Sequence, residues 1–324
     1  MKSFYVKLDE TLSKYQKIFI VSHKNPDLDA YGSSIGLYKI LKSCNKDVYV
    51  FLDTNDNLHS SVRDSIELVS DINYVNKNNY KEYATDDSLW VILDTHCEER
   101  LYFKDFLYEY KNIMIIDHHI KSKDIIKNYK YLYLDEKSSS IAEIVTFYAQ
   151  YKNISFNQII STILLAAIEI DTNEYLFKTT YKTFEASSIL MKYGADNILK
   201  QEILKETKEM YLKRADYIKK SFMLNPKTAI CILDNSIVKN EDLSAIAEEM
   251  LKFENVLITF TIGKLDKNVV GISARSIGEY DVCKIMKSFG GGGHYNNAAA
   301  QIPNGRVKDI LNKLNKMLEE YLWK

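Results

Sequence analysis

The apolar run Ile115-Ile116 ends on Asp117-His118-His119. Buried ionisable groups are costly without partners, so an Asp-His-His strand end points to chemistry that uses them. A second such stretch is Ser22-His23-Lys24-Asn25-Pro26-Asp27-Leu28-Asp29-Ala30. It offers one imidazole and two carboxylates spaced two apart on a loop held by proline. That set can contact two adjacent metal ions, and it also fits a strand–helix loop in which Asp29 caps the helix. Asp94, and Asp171 in Ile170-Asp171-Thr172-Asn173, add carboxylates and tip the balance towards a metal centre. A mixed histidine and carboxylate set without thiolates favours Mn2+, with Fe, Co or Mg also open, over structural zinc. One carboxylate bridging two ions about 3.5–4 Å apart can clamp a phosphoryl group undergoing in-line displacement.

Gly290-Gly291-Gly292-Gly293-His294 is the other stretch with chemical content. Four glycines in a row destabilise a regular element. Their exposed amides make an anion nest suited to phosphate; a loose turn between a helix and a strand is the plainer reading. His294, and Arg275 in Ile272-Ser273-Ala274-Arg275-Ser276, favour a bound phosphate or nucleotide.

The elements that must position these groups are short apolar strands alternating with helices. Residues 17–22, 47–52, 89–93 and 112–116 read as strands; residues 31–41, 139–151 and 157–169 have helical spacing. This alternation predicts an α/β fold with a parallel sheet covered on both faces. Ligands of such sheets bind beyond the carboxyl ends of the strands, where His23, Asp27, Asp94 and Asp117 to His119 fall. Residues 196–221 are charged, with apolar residues at helical intervals, and predict one or two linking helices. Beyond them, strands at 228–233, 256–261 and 269–274 and a terminal helix at 306–321 predict a second, smaller α/β domain.

A chain of 324 residues suggests two domains. Hydrophobic residues at 46% and charged ones at 27% are ordinary for a soluble protein. The 43 basic and 44 acidic residues nearly cancel, which argues against duplex nucleic acid but leaves room for a short nucleotide. Cys44, Cys97, Cys231 and Cys283 are scattered and fit a reducing compartment. The first twenty residues carry charges throughout, unlike a signal peptide. The apolar run at 159–170 is too short to span a bilayer, so a cytoplasmic protein without membrane contact is expected.

These motifs, in this order, resemble those of DHH/DHHA1 phosphoesterases over essentially the whole chain. SHKNPDLDAYGS (22–33), LDTH (93–96), DHH (117–119) and AAIEIDTNEY (166–175) are similar to the four catalytic-domain motifs, and GGGGH (290–294) to the substrate-domain signature. The resemblance implies a parallel-sheet DHH catalytic domain at 1–192, a helical linker at 193–222 and a DHHA1 substrate-binding domain at 223–324. It further implies that His23 and Asp27 hold one Mn2+, that Asp29, His118 and Asp171 hold another, and that Asp94 bridges both. Asp117 would orient a ligand, while His119 would face the phosphate or assist proton transfer. Arg275, Ser276, Gly291, Gly292, Gly293 and His294 would bind substrate. The family also leaves room for a homodimer.

Within the family the sequence points two ways. SHKNPD, DTH and SARSIGEYDVCKIMKSFGGGGHYNNAAAQ look most like cyclic-di-AMP phosphodiesterases, whose catalytic unit often follows membrane helices and a sensory domain not expected here. DAYGS and Glu99-Arg100-Leu101 look more like stand-alone nanoRNases, which degrade very short oligoribonucleotides and sometimes dephosphorylate pAp. Leu28 replaces a small residue common in the first motif, and residues 297–300 depart from many nanoRNases. The expected activity is hydrolysis of cyclic di-AMP and/or its linear product pApA to AMP by a hydroxide bridging two Mn2+. The alternative is a nanoRNase with pAp phosphatase activity. A RecJ-like single-strand exonuclease would carry an OB-type domain and a more basic surface. A pyrophosphatase or exopolyphosphatase would lack GGGGH. A non-catalytic nucleotide sensor is disfavoured, since every ligand position holds a competent residue.

Overall fold

The computed structural model describes residues 2–52 and 58–322. The chain divides into two compact units, Met1–Lys205 and Glu206–Lys324. In the first, strands β1 (Lys17–Val21), β2 (Asp47–Phe51), β3 (Tyr74–Val75), β4 (Leu89–Leu93), β5 (Ile113–Asp117) and β6 (Tyr131–Leu134) form one parallel sheet, in the order β3-β2-β1-β4-β5-β6. Its helices are α1 (Lys2–Ser13), α2 (Leu28–Ser43), α3 (Ser60–Leu68), α4 (Phe106–Glu109), α5 (Ile141–Tyr151), α6 (Gln158–Asp171), α7 (Tyr181–Lys192) and α8 (Asn197–Leu204). Successive strand side chains point to opposite faces, and both faces are buried here. Ile18, Ile20, Val91 and Met114 join the core with α2, α5 and α6, while Phe19, Trp90, Ile92 and Ile115 pack with Phe106 and Ile126 on the other side. The four sequence-predicted strands and the two-sided burial are therefore present.

The strand order reverses direction between β1 and β4, the place where a doubly wound sheet opens a crevice beyond its carboxyl ends. The segments leaving these two strands are tied together: Lys24 N donates to Arg100 O at 2.7 Å. Helix α2 then starts at Asp27, whose side chain caps it by accepting from Ala30 N. Gly32 and Gly36 let α2 pack closely on α5 and α6; a Cβ at Gly36 would lie 2.9 Å from Val145 Cγ1. Helix α2 therefore starts, and α6 ends, at the site described below.

The second unit has a mixed sheet in the order β11-β12-β10-β9-β8-β7. Its strands are β7 (Phe222–Asn225), β8 (Thr228–Ile237), β9 (Ile258–Asp266), β10 (Val269–Ser276), β11 (Gly292–Gly293) and β12 (Asn297–Pro303). Only β8 and β9 pair in parallel. Helices α9 (Lys208–Ile218), α10 (Asn240–Met250), α11 (Val282–Lys287) and α12 (Val307–Leu322) complete it. The helical stretch read as a linker is shared out, with α8 in the first unit and α9 in the second. Among the described residues no helix is long and apolar enough to cross a membrane.

Candidate metal centre

Asp94 is the hub of the first unit. It follows β4 with φ of +63°, in the left-handed region that Asp tolerates better than most residues, and it is buried. Its two oxygens face different partners. Oδ2 lies 3.3 Å from His23 Nε2, which is itself 3.7 Å from Asp27 Oδ2. Oδ1 lies 3.3 Å from His118 Nε2, which is 3.5 Å from Asp171 Oδ2. His23, Asp27 and Asp94 form one compact donor group, and Asp29, His118 and Asp171 a second. The six residues offered as metal ligands by the sequence thus come together in one unit.

The tautomers follow from the hydrogen bonds. His23 Nδ1 lies 2.9 Å from Lys24 O and His118 Nδ1 3.3 Å from Ser138 O. A carbonyl only accepts, so both Nδ1 atoms carry hydrogen and both Nε2 atoms face the cluster, each with a lone pair to offer once its ring is neutral. Asp94 Oδ1, His118 Nε2 and Asp171 Oδ2 are buried without a hydrogen-bond partner. Three orphaned acceptors converging on one space fit a divalent cation, and nitrogen and oxygen donors without thiolate suit Mn2+-type ions.

Electrostatics agree with that fit. Burial opposes charge on His23, yet the Asp27 and Asp94 carboxylates push its pKa up to about 11. At His118 burial is likewise outweighed, chiefly by Asp171 and Asp94, and the pKa is pushed up to about 10. Burial raises Asp171 to about 6, with His118 offsetting part of the effect. Burial, then the charges of Asp94 and Asp171, raises Asp29. Without a cation, the cluster balances its carboxylates by holding protons on its imidazoles.

Asp29 differs from its plainer reading. It does not cap its own helix; Asp27 does. Instead Asp29 accepts from Ile141 N and Ala142 N, each at 2.8 Å, at the start of α5. A carboxylate at a helix N-terminus meets unsatisfied amides and the favourable end of the dipole. Asp29 therefore joins α2 to α5 while presenting oxygen to His118 and Asp171.

Asp117 is fully buried; one of its oxygens lies within 4.8 Å of donor atoms of Asp94, His118 and His119, and both oxygens accept hydrogen bonds. Its Oδ1 accepts from His118 N at 2.7 Å, His119 N at 3.2 Å and His119 Nδ1 at 2.8 Å. Its Oδ2 accepts a short bond from His96 Nδ1. Burial opposes its charge, but the bonds from His119 and His96 hold its pKa well below the usual carboxylate range. His119 Nδ1 also lies 3.6 Å from Asp94 Oδ1.

The remaining predicted residues lie in the second unit. The sequence offers Arg275 as a phosphate contact; the structure buries it and turns it inward. Its Nε and Nη2 donate to Glu248, and its Nη1 to Ser273 Oγ and Ala274 O. Ser276 Oγ donates to Tyr280 O and accepts from Asn296 Nδ2. The glycines have a packing reason: a Cβ at Gly291 would lie 2.1 Å from Ala299 O, and Gly293, at φ +142°, would meet Asn297 O. Gly292 and Gly293 pair with Ala299 and Ala298, and His294 N closes a turn on Asn297 O. Gly290 and Gly291 border a cavity of about 420 Å3 with Ser244, Ser273 and Gln301.

Two family models match this chain, the DHH family N-terminal domain over residues 17–168 and the DHHA1 domain over residues 225–324. The chain carries a DHH-family N-terminal domain and a DHHA1 domain. It is 33% identical over 327 residues to the cyclic-di-AMP phosphodiesterase GdpP of Bacillus subtilis, matching 97% of this chain and 49% of that protein. The chain thus spans about half the length of that curated relative. It is also 25% identical over 327 residues to the bifunctional oligoribonuclease and PAP phosphatase NrnA of Mycoplasma genitalium, covering 95% of each. Among solved structures, an exopolyphosphatase-related protein from Bacteroides fragilis shares the fold, with a TM-score of 0.81, 20% identity, and coverage of 99% of this chain and 97% of that one.

The sequence, which offers His96 within LDTH, assigns it no role. His96 is buried; its Nε2 accepts from Ser122 N at 2.8 Å, so its Nδ1 must carry the hydrogen given to Asp117. Its signal was its place in Asp94-Thr95-His96, directly after the hub, but its partner lies 21 residues away.

Proposed function

We propose that this chain is a phosphodiesterase using two Mn2+ ions, acting on cyclic di-AMP and/or its linear product pApA to give AMP. The observation that carries it is the division of Asp94, one oxygen to His23 and Asp27 and the other to His118 and Asp171. A pair of divalent cations, when bound, supplies Lewis acidity and an activated water near neutral pH. His23 and Asp27 would hold one ion and Asp29, His118 and Asp171 the other, with Asp94 within reach of both.

The chain's own groups do the rest. Asp117, ionised by its four donors, fixes the rings of His96 and His119. His119 is half-buried, beside Asp94, and is the group to meet phosphate or hand on a proton. In the DHHA1 domain the cavity beside Gly290 and Gly291, with His294 near its rim in sequence, holds the nucleotide. The cyclic-di-AMP reading is supported by the likeness to GdpP. A nanoRNase with pAp phosphatase activity is the second reading, favoured by the match to NrnA along nearly the full length of both chains.

A time course with Mn2+ on cyclic di-AMP, pApA, a short RNA and pAp, resolved by chromatography, separates them. Accumulating pApA marks a ring-opener and AMP from pApA the second step of the first reading, whereas turnover of short RNA and pAp without cyclic di-AMP marks a nanoRNase. No turnover of any of the four would overturn the proposal.

A further inference from the structure

Ser140 caps α5 through its Oγ, which accepts from Glu143 N at 3.1 Å. Ser140 and Glu143 thus have the spacing of a capping box, in which the glutamate side chain reaches back to the amide of the cap. Glu143 goes elsewhere. Its Oε2 accepts from Ser139 Oγ at 2.6 Å, Ser139 N at 3.3 Å and Thr183 Oγ1 of α7 at 2.9 Å. All three residues are buried, and Oε1 of Glu143 is buried without a hydrogen-bond partner. A carboxyl group placed there costs free energy that an exposed capping box does not, so its position needs a reason beyond starting a helix.

The reason lies in what the neighbouring atoms hold. Ser138 O, one residue before Ser139, lies 3.3 Å from His118 Nδ1. The amides of Ile141 and Ala142, just after the cap, each bind Asp29 at 2.8 Å. Thr183 Oγ1 also accepts from Thr180 N at 3.0 Å and so closes the start of α7. The turn leading there leaves Asp171, the last residue of α6, and is folded back by Phe177 N donating to Thr172 O at 2.8 Å. One carboxyl oxygen is therefore the common anchor of the segments that carry or orient Asp29, His118 and Asp171. Among the described residues none of its hydrogen bonds reaches the loop of His23 and Asp27.

We propose that Glu143 is a positioning residue for the donor group of Asp29, His118 and Asp171, and not for that of His23 and Asp27. This rests on the two-ion reading and deepens it. Glu143 makes no hydrogen bond to any of the six donors and acts through Ser139 and Thr183. It holds the 138–142 segment at the place where Ser138 O meets one ligand and two amides grip another. Partners behind a ligand govern how well it is aimed at an ion.

The test titrates Mn2+ by calorimetry into the full chain as wild type, as Asp27→Asn, which leaves the second donor group to be read, and as Asp171→Asn, which leaves the first. Each background also receives Glu143→Met, which removes the acceptor at similar volume, and Glu143→Gln, whose amide oxygen can take the three bonds. In the Asp27→Asn chain, Glu143→Met is expected to weaken Mn2+ binding about 10–100-fold, and Glu143→Gln to restore most of it. In the Asp171→Asn chain both stay within about twofold, the range for independent sites. Ser139→Ala removes one side-chain donor and is expected to weaken the second group alone, so it carries the comparison should Glu143→Met fail to fold. Equal losses in both backgrounds, or a lowered unfolding midpoint with neither affinity changed, would make Glu143 a structural acceptor and overturn the proposal. A wild-type chain that binds no Mn2+ overturns it together with the two-ion reading. If the wild type binds Mn2+ but cleaves no phosphodiester, the activity alone fails, and the affinities still decide Glu143.

Discussion

Asp94 meets two demands, a left-handed backbone and a carboxylate shared between two donor groups. Alanine there would mix strain with loss of charge, whereas asparagine keeps the tolerated backbone and removes only the charge. Asp94→Asn should therefore keep its unfolding midpoint, lose the second bound Mn2+ by calorimetry and fall to background turnover. Two tightly bound ions with wild-type turnover would take Asp94 out of the bridging position. Protons make a second prediction. His23 and His118, raised to about 11 and about 10, stay protonated in the metal-free fold at pH 7–9, where unfolded histidine is neutral. Their contribution to metal-free stability is full below about pH 6.5 and is lost as pH climbs through those raised values. An ion needs the bare Nε2, so binding expels up to about two protons and affinity rises with pH. Calorimetry in buffers of different ionisation enthalpy should show this release; pH-independent Mn2+ affinity from pH 7 to 9 would contradict it. His96 adds a third test. It touches no predicted ligand but fixes Asp117, so His96→Gln should cost about 10–100-fold in activity or metal affinity, as loss of an outer-shell partner does.

At the scale of elements, the crossing of α2 over α5 and α6 decides whether the ligands converge. Asp27 and Asp29 open α2, Asp171 closes α6, and Asp29 grips the first amides of α5. Gly36→Leu would force its Cβ to within 2.9 Å of Val145 and 3.3 Å of Leu164. Overpacking of that kind costs about 1–3 kcal/mol. A lower urea midpoint with weakened Mn2+ binding is expected; a lower midpoint with intact binding would show that the helix ends hold their ligands independently of the crossing. The ligands were legible because polar groups at the ends of apolar strands break the hydrophobic pattern, and burial makes such breaks costly. Other elements gave weaker signals. Helix α1 buries Tyr5, Leu8 and Leu12 at a helical spacing, while β6 is only four residues long and half-buried throughout. The inward turn of Arg275 depends on Glu248 from α10, and the turn at 173–178, with positive φ at Asn173, Glu174, Tyr175 and Lys178, on bonds back to Glu169 and Thr172; neither pairing is written in local spacing.

For the whole molecule, the division of labour between the two units is itself testable. Each has its own hydrophobic core, built on Ile18, Ile20 and Val91 in the first and on Ile230, Phe260 and Ile272 in the second. Every proposed metal ligand, from His23 to Asp171, lies in the first, as do the supports Asp117, His96, Lys24 and Ser138. A fragment of residues 1–205 is therefore expected to fold with a single cooperative transition. It should bind Mn2+ within a few-fold of the full chain, because no donor has been removed. The glycine-lined cavity lies wholly in the second unit, so the same fragment should lose pApA or cyclic di-AMP turnover through a raised KM. Calorimetric Mn2+ titration and steady-state kinetics on fragment and full chain separate the two quantities. Full nucleotide turnover by the fragment would place recognition in the catalytic domain itself, with His119 as its carrier.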